Sequence, residues 1–201
     1  MPEPEETPLL DRIAAGDAAA VQTLLRQYRD RLRRMIQCRL DARVAARMDA
    51  SDVVQEAMLA ATATIREYAQ QRPVAFYVWL RRLAWERMTD MQRQHLAAQR
   101  RSVLREEQPP SSFSDASLCE LARRLVCGGP APSHNLHRKE GNERLRRALD
   151  QLDPIQREVI LLRYLEQLNL AETAAVLNIT PDAVKMRQLR ALRRLRELLE
   201  Q

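Results

Sequence analysis

The chain has 201 residues, 45% hydrophobic and 30% charged, with only four glycines, three cysteines and a net charge of +6. This is the balance of a globular, helix-favouring protein with a polyanion as a fitting partner. It excludes a membrane span, since no apolar run is long enough, and a disulfide framework, since Cys38, Cys119 and Cys127 are odd in number and widely spaced.

In chain order, the first expected helix closes at Ile13 before Gly16. Asp17 can cap a longer helix carrying Val21, Leu24, Leu25, Tyr28, Leu32, Met35 and Ile36 on one side. Asp52 and Gln55 have capping-box spacing, which predicts a helix opening there with Val54, Ala57, Met58, Ala61, Ile65 and Tyr68 along one face. Pro73 ends the next connection, and the pattern turns helical again from Val74 to beyond Arg93.

That fourth segment holds Phe76, Tyr77, Trp79 and Trp85, half of the aromatic residues of the chain. Interleaved or following are Arg81, Arg82, Arg87, Arg93, Arg100 and Arg101. Flat rings stack on unpaired bases and guanidinium groups hold phosphates, so the mixture suits melted nucleic acid. Trp79, Leu80 and Leu83 have core spacing, leaving Trp79 and Phe76 divided between core and DNA; Tyr77 and Trp85 lie off that stripe and are expected to meet bases.

Residues 105–142 are richer in Pro, Gly and Ser and read as a linker. Within it, Leu118, Leu121, Ala122, Leu125 and Val126 follow helical spacing behind a Ser117–Glu120 capping box. This short helix is expected to pack on a neighbouring domain, the alternative being a partner protein. Cys119, Cys127, His134 and His137 lack the C-x-x-C clip of a zinc site, so no metal is expected.

The last segment carries the sharpest pattern. Asp153, Pro154 and Gln156 mark a helix start, followed by Val159, Ile160, Leu162 and Leu165. A second helix has Leu170, Ala174 and Leu177 on one face. Asn178 suits a left-handed turn, Ile179 can plug the gap between helices, and Thr180, Pro181 and Asp182 open a third helix. Its expected buried stripe is Val184, Ala191, Leu192, Leu195 and Leu199, leaving Lys185, Arg187, Arg190, Arg193 and Arg194 outside. This is a helix-turn-helix whose last helix reads DNA.

Two motifs in order make the reading specific. A helix beginning Asp52-Val53-Val54-Gln55-Glu56, then Phe76-Tyr77-Val78-Trp79-Leu80 leading into a basic helix, then a linker and a helix-turn-helix, resembles the extracytoplasmic-function group of bacterial sigma factors. The resemblance implies an all-α fold of two small helical domains joined by a partly helical linker: region two over 8–104, the linker over 105–142 and region four over 143–201. It implies a factor that directs RNA polymerase to promoters and helps to open them. Asp52, Gln55 and Glu56 would bind polymerase. Phe76, Tyr77, Trp79, Arg81, Arg82, Trp85, Glu86 and Arg93 would serve the minus-ten element and melting, and Thr180, Lys185, Met186, Arg187, Arg190 and Arg194 the minus-thirty-five element.

Glu86 stands where family members often carry Asn, Asn178 where a turn Gly is usual, and Met186 where a small polar residue is frequent; Met186 would meet a thymine methyl or simply pack. Core polymerase, promoter DNA and an anti-sigma factor are the implied partners, with no membrane, no cofactor and a cytoplasmic location. No catalytic motif is present, so no enzyme is expected. The competing reading is a helix-turn-helix regulator that binds a palindrome as a dimer without being a polymerase subunit.

Overall fold

The computed structural model describes residues 6–40, 48–100, 115–125 and 135–200, with backbone alone for 95–100, 115, 116, 123, 124 and 135–139. Arg101, Val126, Cys127 and His134 lie outside the described residues, as do the side chains of Arg100 and His137. Among the described residues the regular structure is all helical: α1 (Glu6–Ala14), α2 (Ala18–Arg39), α3 (Ala50–Gln71), α4 (Phe76–Arg100), α5 (Asp115–Leu125), α6 (Asn135–Asp150), α7 (Pro154–Ile160), α8 (Leu170–Leu177) and α9 (Pro181–Leu199). They form two compact units, α1–α4 and α5–α9.

In the first unit, α1 packs on α2 and α3, while α4 packs on both α2 and α3. Gly16, at φ 97°, makes the sharp turn from α1 to α2, a backbone conformation that costs glycine little. Asp17 caps α2, accepting from the Ala19 and Ala20 N–H groups at 2.8 and 3.2 Å. The Arg12 guanidinium, 2.6 Å away, together with those N–H groups, holds the Asp17 carboxyl below its ordinary value. Leu24, Leu32, Met35 and Ile36 from α2 meet Val53, Val54, Ala57, Ala61 and Ile65 from α3 in the core.

The start of α3 differs from the expected one. Asp49, not Asp52, is the N-cap: its carboxylate accepts from the Ser51 N–H at 2.9 Å, and Asp52 lies inside the first turn. Starting at Ala50 buries Ala50, Val53, Val54 and Ala57 along one stripe, so packing decides between two nearby acidic candidates. The Ser51 N–H also depresses the Asp49 pKa below 3.8. A cap of this kind stabilises the fold above the ordinary Asp range and loses that contribution as pH falls through the depressed value. Asp49→Ala is therefore expected to lower the melting temperature of this unit by a few degrees near neutral pH, followed by circular dichroism. Asp52→Ala should barely change it, and the gap between the two variants should shrink in acid.

Five ring contacts link Tyr28, Tyr68, Phe76, Tyr77 and Trp79, with centroids 4.5 to 5.9 Å apart. The Tyr68 hydroxyl donates to the Val74 carbonyl at 2.7 Å, tying α3 to the connection before α4. Burial, with the nearby Glu6 charge adding to it, pushes the Tyr68 pKa up to about 12. Tyr28 donates to the buried Glu6 carboxylate, which fastens α1 to α2.

In the second unit, α5 lies on α6 and on a π-helical turn, Leu161–Leu165, that continues α7. Leu118 and Leu121 of its apolar stripe are buried there, within the same unit, while Ala122 and Leu125 are half-buried. The Glu166 N–H donates to the Leu161 carbonyl at 3.0 Å, five residues back. The wider turn lets Leu161, Leu162 and Leu165 all face inward. Arg144 donates to the Leu199 carbonyl at 2.9 Å and so ties α6 to the end of α9.

Helices α7, α8 and α9 meet around Val159, Ala174 and Val184, with Leu170, Leu177 and Ile179 packed against them. Asp153 caps α7, and Asn178 turns the chain at φ 52° in the left-handed region. Thr180 caps α9 by accepting from the Ala183 N–H at 3.2 Å, with Pro181 in the first turn. Each feature matches the sequence expectation. One further device was not expected: Asn169 and Glu172 form a reciprocal capping box at the start of α8, at 2.8 and 2.9 Å.

Candidate nucleic-acid interface

Helix α4 buries a wider and differently centred arc than its sequence pattern predicts. Phe76, Leu80, Ala84 and Met88, flanked by Tyr77 and Arg81, are buried, while Leu83 and Trp79 are only half-buried. The arc is turned by roughly a quarter of the helix circumference from the Trp79–Leu83 stripe. The cause is that α2 and α3 both contact α4, and one periodic stripe cannot describe two neighbours.

The aromatic assignments change accordingly. Phe76 is fully buried between Tyr28, Tyr68 and Trp79, so it belongs to the core. Tyr77, expected to meet bases, is also buried: it stacks on Tyr28, and the Arg31 guanidinium from α2 lies 3.6 Å from its ring centre. Trp79 stacks on Tyr68 at 4.5 Å. Trp85 alone of the four is exposed, at 37%. Arg39 from α2 and Arg81 from α4 each lie 5.6 Å from its ring centre.

Of the basic residues, Arg81 is buried rather than presented to solvent. Arg82, Arg87 and Arg93 are exposed; Arg82 pairs with Glu86 at 3.1 Å and Arg93 with Asp90 at 3.3 Å. Among the described residues, the exposed side of α4 includes Arg82, Trp85, Glu86, Arg87, Asp90, Arg93 and Gln94, with Arg39 of the neighbouring helix against the Trp85 ring. Sequence reasoning missed Arg31 and Arg39, because cation–ring pairing between separate helices leaves no local periodic signal.

Asp52, Gln55 and Glu56 are all exposed on the first turns of α3. Leu59, one turn further on the same side, is 60% exposed and adds an apolar member that the sequence pattern did not single out.

Helix α9 presents Lys185, Met186, Leu189, Arg190, Arg193 and Arg194 to solvent. Lys185 pairs with Asp182 at 3.3 Å and Arg194 with Glu197 at 3.0 Å. Arg187 is half-buried: at three residues from Val184 it lies only about 60° around the helix from the buried stripe. It therefore borders the exposed face of α9 instead of occupying its centre. Gln188 is held by the π-helical turn, donating to the Tyr164 hydroxyl at 3.0 Å and accepting from Arg163 at 3.3 Å. Arg163 also donates to the Leu168 carbonyl.

Among the described residues no group of His, Cys, Asp and Glu has metal-site geometry, and Cys119 instead exchanges hydrogen bonds with Asn142 at 3.1 and 3.3 Å. No helix among them is long and apolar enough to cross a membrane.

Two family matches fall on these two units. Residues 21–98 match Sigma-70 region 2 and residues 148–197 match Sigma-70, region 4, together more than half of the chain. Among curated proteins, the chain is 31% identical over 191 residues to the ECF RNA polymerase sigma factor BldN of Streptomyces coelicolor, covering 95% of this chain and 64% of that protein. It is 29% identical to ECF RNA polymerase sigma factor ShbA of Streptomyces griseus, covering 96% of this chain and 94% of the relative. It is 28% identical to the ECF RNA polymerase sigma-E factor of Escherichia coli K12, covering 91% and 88%. Among solved structures, CnrH, described in complex with the cytosolic domain of CnrY, shares the fold with a TM-score of 0.55 at 24% identity, over 96% of each chain. With region 2 on the unit that bears the Asp52 face and the α4 surface, and region 4 on the helix-turn-helix, the chain belongs to the sigma-70 family, in its extracytoplasmic-function group.

Proposed function

We propose that this protein is a promoter-specificity subunit, which recruits core RNA polymerase to particular promoters and assists their opening. The observation that carries the reading is the presence, in one chain and in order, of a region 2 unit with an exposed acidic and polar helix face and a region 4 unit with an exposed basic reading helix. The dimeric-regulator alternative accounts for α9 alone. It leaves the Asp52–Glu56 face and the Trp85 surface without a task.

In this reading the protein binds and does not turn over a substrate. Asp52, Gln55 and Glu56 dock on polymerase, with Leu59 at their edge. Trp85 and the exposed arginines of α4 hold opened DNA, the ring offering a stacking face and the guanidinium groups neutralising phosphate. Phe76, Tyr77, Trp79 and Arg81 shape that surface from beneath. The exposed residues of α9 enter the major groove at the upstream element. Polymerase, promoter DNA and an anti-sigma factor are the proposed partners, and the place of action is where the DNA is, the cytoplasm.

The test is co-purification of the full chain with core polymerase at one-to-one stoichiometry; no retention would remove the reading. Within it, Arg190→Ala is expected to weaken binding to the upstream element by about 1–3 kcal/mol. Arg187→Ala, on the flank, should cost less and with weaker dependence on sequence. Footprinting of the upstream element with each variant measures the difference.

A further inference from the structure

Met186 and Leu189 are among the most exposed large apolar side chains described, 49% and 55% accessible, and they are neighbours at i and i+3 on α9. At 100° per residue, Met186 lies about 160° and Leu189 about 140° around the helix from Val184. With Arg193, at about 180°, the pair forms the part of α9 turned farthest from its own core. Lys185 and Arg190 border it on either side, and all of these side chains are exposed.

Gln188, whose amide has the chemistry to read an adenine edge, is half-buried and lies only about 40° around the helix from Val184, on the core side of the pair. There its amide donates to Tyr164 and accepts from Arg163. What the middle of the face presents is a thioether and a branched alkyl group inside a ring of cations. A partner that complements this must be a polyanion with apolar groups set between its charges. Duplex DNA has one such group in the major groove, the C5 methyl of thymine.

Resting on the reading of α9 as the upstream-element reader, we propose that Met186 and Leu189 select thymines by direct contact with their methyl groups, while Lys185, Arg190 and Arg193 meet the flanking phosphates. The specificity so produced depends on a single carbon atom of the base and on no hydrogen bond.

Replacement of thymine by deoxyuridine isolates that carbon, since it removes the methyl and keeps the pairing edge. The experiment uses holoenzyme assembled from the full chain and bacterial core polymerase. Upstream elements are first selected from a duplex pool randomised there, and each thymine of the enriched sequence is then replaced singly. At one or two positions, uracil should weaken binding about three- to tenfold, the range expected for burial of one methyl group. Met186→Ala or Leu189→Ala should bind thymine and uracil at those positions alike, with the melting temperature unchanged because both side chains are exposed. Equal affinity of the wild type for thymine and uracil throughout an enriched element would overturn the proposal and leave the reader in place. A full uracil penalty in both variants would also overturn it. If the pool yields no enriched upstream sequence, α9 is not a reader and the methyl contact falls with it.

Discussion

Tyr77→Ala is expected to destabilise the region 2 unit by about 3–5 kcal/mol, the cost of deleting a fully buried aromatic side chain, and so to remove most of the folded protein. The ring is 2% exposed, stacks on Tyr28 and carries the Arg31 guanidinium at 3.6 Å, so its loss opens a cavity at the junction of α2 and α4. Tyr77→Phe keeps the ring and should keep the fold. Trp85→Ala should behave in the opposite way: with a ring already 37% exposed, its melting temperature should lie close to that of the wild type. Core binding and upstream protection should persist, while the opened downstream region loses its hold. Thermal denaturation of the three variants, followed by permanganate footprinting on those that fold, separates a core ring from a DNA-facing one. A stable Tyr77→Ala protein would contradict the packing account.

Glu56→Lys carries the second large effect. Glu56 is exposed beside Asp52 and Gln55 on α3, clear of the buried stripe Val53, Val54 and Ala57. Reversing its charge leaves the core of the unit untouched, so the fold should remain. Placed against a complementary surface, however, the same reversal sets like charges together, and a desolvated pair disrupted this way costs about 2–5 kcal/mol of affinity. Core polymerase binding should fall by at least about thirtyfold, by titration of labelled protein, with the melting temperature nearly unchanged. A large loss of stability with core binding retained per folded molecule would assign Glu56 to the helix terminus alone.

How much of this was legible beforehand depended on the range of the interaction. Gly16, Asp17, Asp153, Asn178, Thr180 and Pro181 act within one helical turn of themselves, and each is found in the role its residue type predicts. The three-helix core around Val159, Ala174 and Val184 was readable for the same reason, because short connections force those stripes together. Residues decided by more distant contacts were not readable. Asp49 and Asp52 are both competent caps, and burial of Ala50 and Val53 chose between them. Tyr77 and Arg81 became core because α4 has two neighbours. The π-helical turn at Leu161–Leu165 has no composition of its own; it packs against α5 and α8, which come from other parts of the unit. The exposed pair Met186 and Leu189 was half visible: the spacing placed Met186 outside the stripe, while the exposure of Leu189 emerged only from the packing of α9.

The two surfaces proposed to face DNA lie on separate units, and a simple tether does not set the distance between two promoter elements. Free protein should therefore bind duplex promoter weakly, with steep salt dependence, mainly through α9. The most direct measurement is permanganate reactivity of a cognate promoter with the protein alone, with core polymerase alone, and with both. The account predicts a single-stranded patch at the downstream element only with both present, formed without nucleotide hydrolysis and lost in Trp85→Ala. Tight binding of the free protein to a palindromic duplex as a dimer, with no opening when core polymerase is added, would contradict it.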